Sequence, residues 1–140
     1  MAICTGRLQF INNIKSLSSE VVLVPTDVPG VTKYQERIKG AVKTGVRIAI
    51  GSDIYYEFPG KIRGQACARI YKSYIASGMS NIGVLRAATF NPADLIGYNS
   101  IGAIEMGRFA DIIAVKGYPL ADIGILKNVV FLMKDGKVYK

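Results

Sequence analysis

Apolar and polar positions in this sequence change their spacing several times. Short runs of apolar side chains occupy residues 20–24 and 46–50, a pattern typical of strands buried on both faces. Between them, the apolar positions of residues 32–44 recur at helical spacing. The order strand, helix, strand predicts a βαβ unit, with the polar segment 51–53 at the carboxyl end of its second strand. Ligands of parallel α/β sheets bind at that end.

Further helices are predicted on both sides of this unit. A weak helical pattern covers residues 10–17, and a stronger amphipathic pattern covers residues 64–77. Ser80 is a candidate N-cap for a shorter helix that extends to residue 89. Another helix is predicted to start at Asn91-Pro92, with the asparagine as N-cap and the proline in the first helical position.

The C-terminal part of the sequence has a different pattern, in which glycines separate short apolar runs. Residues 110–115 and 129–133 are predicted strands, and Asp135-Gly136 predicts a two-residue hairpin turn after the second of them. We therefore divide the chain into an α/β part, residues 1–97, and a smaller β part, residues 98–140. Two parallel strands do not close a sheet, so the pattern resembles the last part of a larger protein.

Composition narrows the chemistry available to the chain. Its 140 residues include 18 basic and 10 acidic side chains, a net charge of +8, and no histidine. The lack of histidine excludes Ser–His–Asp and Cys–His catalysis, and imidazole-ligated zinc, for this chain acting alone. The basic side chains are densest over residues 33–47, mostly on the solvent side of one predicted helix, which argues against nucleic acid as a partner.

Nothing in the sequence predicts a membrane segment or a secreted protein. No apolar run approaches the roughly 18 residues of a membrane span, and the first residues lack the pattern of a signal peptide. Two cysteines are too few for a disulfide framework, and we expect Cys67 to be a core residue. We expect a cytoplasmic protein.

Several motifs resemble one enzyme family. Residues 45–53, GVRIAIGSD, resemble the GVxIAxGTD segment that ends the eighth barrel strand in the amidohydrolase superfamily. Residues 84–97, VLRAATFNPADLIG, resemble the helices after that strand, and residues 102–115, GAIEMGRFADIIAV, resemble the family's GxIExGKxADIIxV. The greatest similarity is to the imidazolonepropionase-like and Xaa-Pro dipeptidase-like branch.

The resemblance implies an α/β fold of a particular kind, as a C-terminal fragment of a larger enzyme. Residues 1–97 would hold the last two strands, seven and eight, and the helices of a TIM-like (β/α)₈ barrel. Residues 98–140 would form the C-terminal part of a small composite β-sandwich. A whole barrel of this type needs about 250 residues, so a partner chain completing the barrel is one expectation.

The resemblance also implies a hydrolytic, metal-dependent chemistry. Family members hydrolyse C–N bonds with water activated by a divalent metal, most often zinc, and Asp53 matches the aspartate that lies beside this water. Asp53 is therefore the candidate catalytic residue and metal ligand, with a small amide or dipeptide-like substrate. The family's other ligands match nothing in this sequence, so we expect the chain alone to bind no metal and to be inactive.

Two alternatives remain open from the sequence. By its spacing alone, Asp53 is better explained as an aspartate that caps the loop after a strand, and only the surrounding motif favours the catalytic role. The whole chain could instead be a non-catalytic basic module that binds a partner chain or an anionic polymer. Asp111, by contrast, is predicted to be structural, bonding backbone at the start of its strand.

Overall fold

The first sheet of this protein is a parallel pair. The structure is a computed structural model that describes residues 22–23, 32–51, 59–60 and 62–140. Strands β1 (Val22–Leu23) and β2 (Arg47–Ile48) pair in parallel, and helix α1 (Thr32–Thr44) connects them. This confirms the predicted βαβ unit, with shorter strands than the apolar runs. The helix predicted over residues 10–17 lies outside the described residues.

Helix α1 is amphipathic, as its sequence predicts. Ile38 and Ala41 are fully buried, whereas Lys39 and Lys43 are exposed. Gly45 follows the helix with a φ of +73°, a left-handed conformation that ends helices and that glycine adopts without steric cost. The burial of one side of α1 holds it against the sheet.

The helical segment after the β2 loop is divided in two. Helix α2 (Arg63–Ala68) and helix α3 (Ile70–Ala76) replace the single helix predicted over residues 64–77. Arg69 separates them but has helical angles itself, φ −65° and ψ −29°, so the division concerns one residue. The predicted apolar face is buried at Ala66, Ile70 and Tyr74.

Helix α4 (Asn81–Ala88) begins where the sequence predicts. The hydroxyl of Ser80 accepts a hydrogen bond from the backbone amide of Gly83 at 3.2 Å, which confirms its role as the N-cap. Val84 and Ala87 are fully buried on the inner side of the helix. The cap therefore fixes the start of a helix that belongs to the core.

Helix α5 (Phe90–Leu95) departs from the prediction at its start. It begins at Phe90 with Thr89 in the N-cap position, and no side chain caps it. The prediction that Asn91 is the N-cap was wrong, because the helix begins one residue earlier and Asn91 lies within its first turn. From there its side-chain amide donates to the carbonyl oxygen of Ile48 in β2.

The C-terminal residues form an antiparallel sheet. Strands β3 (Ile112–Val115), β4 (Val129–Lys134) and β5 (Lys137–Val138) pair in the order β3-β4-β5. Asp135 and Gly136 connect the last two strands with φ values of +48° and +74°. Two consecutive positive φ values are the signature of a type I′ turn, which confirms the predicted hairpin.

The hydrophobic core draws on residues from both ends of the described chain. A 3₁₀ helix, Ile123–Lys127, contributes Ile123, which is only 3% exposed, to the cluster formed by α1, β2, α3 and α4. The core thus crosses residue 98, and the two-domain division remains a prediction. The buried members of this cluster are Ile38, Ala41, Ile48, Ile50, Ile70, Tyr74, Val84, Ala87 and Ile123.

Candidate functional site

The candidate site follows strand β2, whose Ile48 begins a buried run that continues beyond the strand. Ile48, Ala49 and Ile50 are 3%, 1% and 7% exposed. β1 flanks one edge of β2, with Leu23 in register with Ile48. Gly51, also buried, is the last described residue before the polar segment of the motif.

Asp53, the predicted catalytic residue and metal ligand, lies outside the described residues. Tyr55, Tyr56 and Glu57 of the same loop do as well. The role of Asp53 therefore stays a prediction, and the geometry that bears on it is that of β2 and of the helices packed against this strand.

The second edge of β2 is bonded to helices rather than to a strand. The side-chain amide of Asn91 donates to the carbonyl oxygen of Ile48 at 2.7 Å, and the amide of Ile50 donates to the carbonyl oxygen of Ala87 at 2.7 Å. Polar backbone groups of residues two apart point to the same edge of a strand. These two bonds occupy the carbonyl oxygen of Ile48 and the amide of Ile50.

An ion pair joins α5 to the start of β2. A guanidinium nitrogen of Arg47 lies 2.5 Å from a carboxylate oxygen of Asp94, with the two side chains 40% and 38% exposed. Exposed pairs contribute only about 0–1 kcal/mol to stability, so its main effect is to orient the helix. We call Ala87, Asn91 and Asp94 together the strand clamp.

The sequence analysis missed the strand clamp for a simple reason. The Asn91-Pro92 pair has the form of a helix N-terminus, and that local rule was applied. The asparagine in fact contacts a strand 43 residues earlier in the chain. The sequence signal that could have indicated this contact is the position of Asn91, a polar residue directly after a helix that is predicted to belong to the core.

An open cavity of about 580 Å³ lies beside the strand clamp. Arg86 in its wall is exposed and has no ion-pair partner among the described residues, while the neighbouring Phe90 presents an apolar surface. Such a lining suits an anionic group attached to an apolar body. The cavity is lined by Arg47, Ile82, Leu85, Arg86, Thr89, Phe90, Asn91 and Gly102.

The described residues do not fit a catalytic metal. The sequence contains no histidine, and nowhere in the described ranges do three or more Cys, Asp or Glu side chains converge as metal ligands. A catalytic zinc site takes three protein ligands, usually including histidine. We therefore derive no catalytic step through a metal from this part of the chain.

Two other residues singled out in the sequence have clear surroundings. Asp111 accepts a hydrogen bond from the backbone amide of Asp135 at 2.7 Å, and another from Lys134. These bonds fix the hairpin turn against the start of β3, which confirms a structural role. Cys67 is half-buried on α2, and burial, together with this neighbouring thiol, raises the pKa of Tyr71.

Comparison with known proteins identifies the family. The sequence model of the amidohydrolase family matches residues 8–140. This chain belongs to the amidohydrolase family. The match confirms the resemblance found in residues 45–53, 84–97 and 102–115.

Individual amidohydrolases are similar to this chain over part of their length. Ochratoxinase of Aspergillus niger is 33% identical over 107 residues, which are 73% of this chain and 21% of that protein. Adenine deaminase of Thermosipho melanesiensis is 34% identical over 71 residues, 50% of this chain and 12% of that protein. The chain thus spans about a fifth or less of the length of these curated relatives.

Solved structures give the same result for the fold. A Xaa-Pro dipeptidase crystallised with bound methionine matches 76% of this chain and 25% of its own, with 32% identity and a TM-score of 0.69. The crystal structure of A. niger ochratoxinase matches 76% of this chain and 24% of its own, with 28% identity and a TM-score of 0.60. The α/β class is therefore confirmed.

No helix in the described ranges is both long and apolar enough to cross a bilayer.

Proposed function

We propose that this chain is the C-terminal portion of a metal-dependent amidohydrolase that hydrolyses the C–N bond of a small amide or dipeptide-like substrate. In this proposal, residues 1–97 supply the last two strands of a TIM-like barrel and residues 98–140 part of a composite β-sandwich. The observation that supports it most is the match to the Xaa-Pro dipeptidase, which extends over 76% of this chain but 25% of the other.

Asp53 is the residue to which the proposal gives a catalytic role. A carboxylate at the carboxyl end of a parallel strand lies where α/β enzymes bind substrates. There it would take up the proton of the attacking water and deliver it to the nitrogen of the leaving group, as a general base and then a general acid. Strand β2 supports this placement, since Ile48 is buried and β1 pairs with the strand in parallel.

The metal of the family has to be held by residues outside the described part of this chain. The absence of histidine from the sequence supports the proposal that the chain alone is inactive. The remaining barrel strands and their ligands would then come from outside these 140 residues, including from a separate partner chain. The alternative of a basic binding module has less support, since Arg47 of the basic group is neutralised by Asp94.

A chimera tests the proposed function. Residues 20–140 of this chain would replace the matching C-terminal segment of the Xaa-Pro dipeptidase, and hydrolysis of an Xaa-Pro dipeptide would be measured. We expect turnover, and we expect Asp53→Asn to reduce kcat by about 100-fold or more. The zinc content of each variant is measured as well, because Asp53 is also the expected metal ligand. Asp135→Asn, a surface carboxylate in the hairpin turn, serves as the control and should retain full activity.

Two outcomes would contradict the proposal. The first is a folded, zinc-loaded chimera in which Asp53→Asn and Asp135→Asn behave alike, which would remove the catalytic role of Asp53. The second is hydrolysis by the purified 140-residue chain with stoichiometric zinc, which would overturn the proposed inactivity of the chain alone.

A further inference from the structure

We propose that the chain alone closes the edge of β2 on which the barrel has to be completed, so that the next strand pairs only after the strand clamp has opened. This inference rests on the proposed function, in which β1 and β2 are strands seven and eight of the barrel. In a closed eight-stranded barrel, the eighth strand pairs with the seventh on one edge and with the first on the other. Since β1 takes one edge of β2, the first strand needs the edge that Ala87 and Asn91 occupy.

The first argument is that the strand clamp and a pairing strand need the same space. The carbonyl oxygen of Ala87 lies 2.7 Å from the amide nitrogen of Ile50. The side-chain nitrogen of Asn91 lies 2.7 Å from the carbonyl oxygen of Ile48. Paired strands lie only about 4.8 Å apart and use these same backbone groups for their hydrogen bonds. The clamped edge and the paired edge therefore exclude each other.

The second argument is that the clamp satisfies the edge in the way a strand would. It bonds one backbone donor and one backbone acceptor of β2, at residues Ile50 and Ile48, which are 7% and 3% exposed. A buried amide or carbonyl without a partner is costly, and a free strand edge is a site of unwanted pairing between chains. The clamp removes both costs in the chain alone, and a barrel strand would take over the same two bonds.

The third argument is that the outer part of the clamp is only lightly attached. Helix α5 is six residues long, has no side-chain cap, and buries only Ala93. Its ion pair, Asp94 with Arg47, is exposed and contributes little to stability. Ala87 is fully buried, so opening also has to shift the end of α4. This cost keeps the closed arrangement dominant until a strand replaces the clamp.

Association of two separate chains tests the inference. One is the 140-residue chain, and the other is the Xaa-Pro dipeptidase without the C-terminal segment that matches it. A chain that must open before it binds has an apparent affinity reduced by its open fraction. Asn91→Ala removes one hydrogen bond of the closed form. We therefore expect its dissociation constant, measured by biolayer interferometry, to be about tenfold lower than that of the wild type.

The matched control is Asn81→Ala, which removes a bond of the same type and length, 2.7 Å to the carbonyl oxygen of Leu120, at a site away from β2. It should bind as the wild type does. Asn91→Asp places an acceptor against the carbonyl oxygen of Ile48 and should tighten association at neutral pH as Asn91→Ala does. This second variant provides the measurement if Asn91→Ala fails to fold.

The inference is overturned if Asn91→Ala binds the dipeptidase segment no more tightly than the wild type, if Asn81→Ala gives the same gain, or if neither variant of Asn91 associates with that segment. Association is measured without turnover, so it is decided separately from catalysis. An inactive chimera would contradict the proposed function, while a gain in affinity would still show that the clamp closes the edge of β2.

Discussion

Gly102 allows a direct test of how closely the C-terminal part packs against the junction of α4 and α5. Its φ is +87°, and a Cβ atom added there would lie 2.8 Å from the Cβ of Ala93, 2.9 Å from the carbonyl oxygen of Thr89 and 3.2 Å from the Cα of Phe90. Two of these neighbours are backbone atoms of the α4–α5 junction, which cannot move independently. Gly102→Ala should therefore force a shift of backbone as well as a strained conformation.

Gly107 is a matched control because it shares the strain but not the contacts. Its φ is +83°, and nothing lies within 4 Å of an added Cβ. A left-handed conformation costs an alanine about 1–2 kcal/mol, and this cost applies to both variants. The close contacts at Gly102 add the cost of overpacking, about 1–3 kcal/mol. We expect Gly107→Ala to lose about 1–2 kcal/mol of unfolding free energy and Gly102→Ala about 2–5 kcal/mol.

Urea unfolding followed by far-UV circular dichroism measures both losses. The chain has no tryptophan, so tyrosine fluorescence provides the second probe. The comparison is valid if the two variants keep the wild-type dependence on urea. Equal losses for Gly102→Ala and Gly107→Ala would refute the argument, because the contacts around Gly102 would then contribute nothing.

Three further predictions concern the core and the pH dependence of stability. Ile38→Ala should lower the unfolding free energy by about 2–5 kcal/mol in the same urea assay, because Ile38 is fully buried. The hydrogen bonds from Lys134 and from the amide of Asp135 hold the pKa of Asp111 below its usual range. The ionised carboxylate therefore stabilises the fold above the unfolded pKa of about 3.9, and this stabilisation is lost as the pH falls through the lower folded pKa. In Asp111→Asn, an acid titration of the unfolding free energy should no longer show this loss. Burial raises the pKa of Tyr71. Above about pH 10 the phenol ionises in the unfolded chain but not yet in the folded one, so the stability of the fold should decrease. Thermal melts at alkaline pH should show a smaller decrease for Tyr71→Phe.

The sequence alone determined the features of this protein that depend on local spacing. The sequence specifies the parallel βαβ unit through the period of its apolar positions. Continuous apolar runs around β1 and β2 indicate strands, and apolar positions at helical spacing, among them the buried Ile38, indicate a helix between them. Asp135-Gly136 specifies the hairpin because few residues adopt two consecutive positive φ values. The family motifs were also sufficient to identify an amidohydrolase.

Only the tertiary structure decided which distant groups meet. Asn91 was expected to start its own helix, but the helix begins one residue earlier and the Asn91 amide donates to a carbonyl oxygen 43 residues away in the sequence. Likewise, Ile123 joins a core built from earlier elements, although its own segment predicts nothing of the kind. Local patterns fix which side chains must be buried. Which partner each one finds depends on the packing of the whole chain, because joining residues far apart in sequence costs loop-closure entropy that only the other contacts of the fold offset.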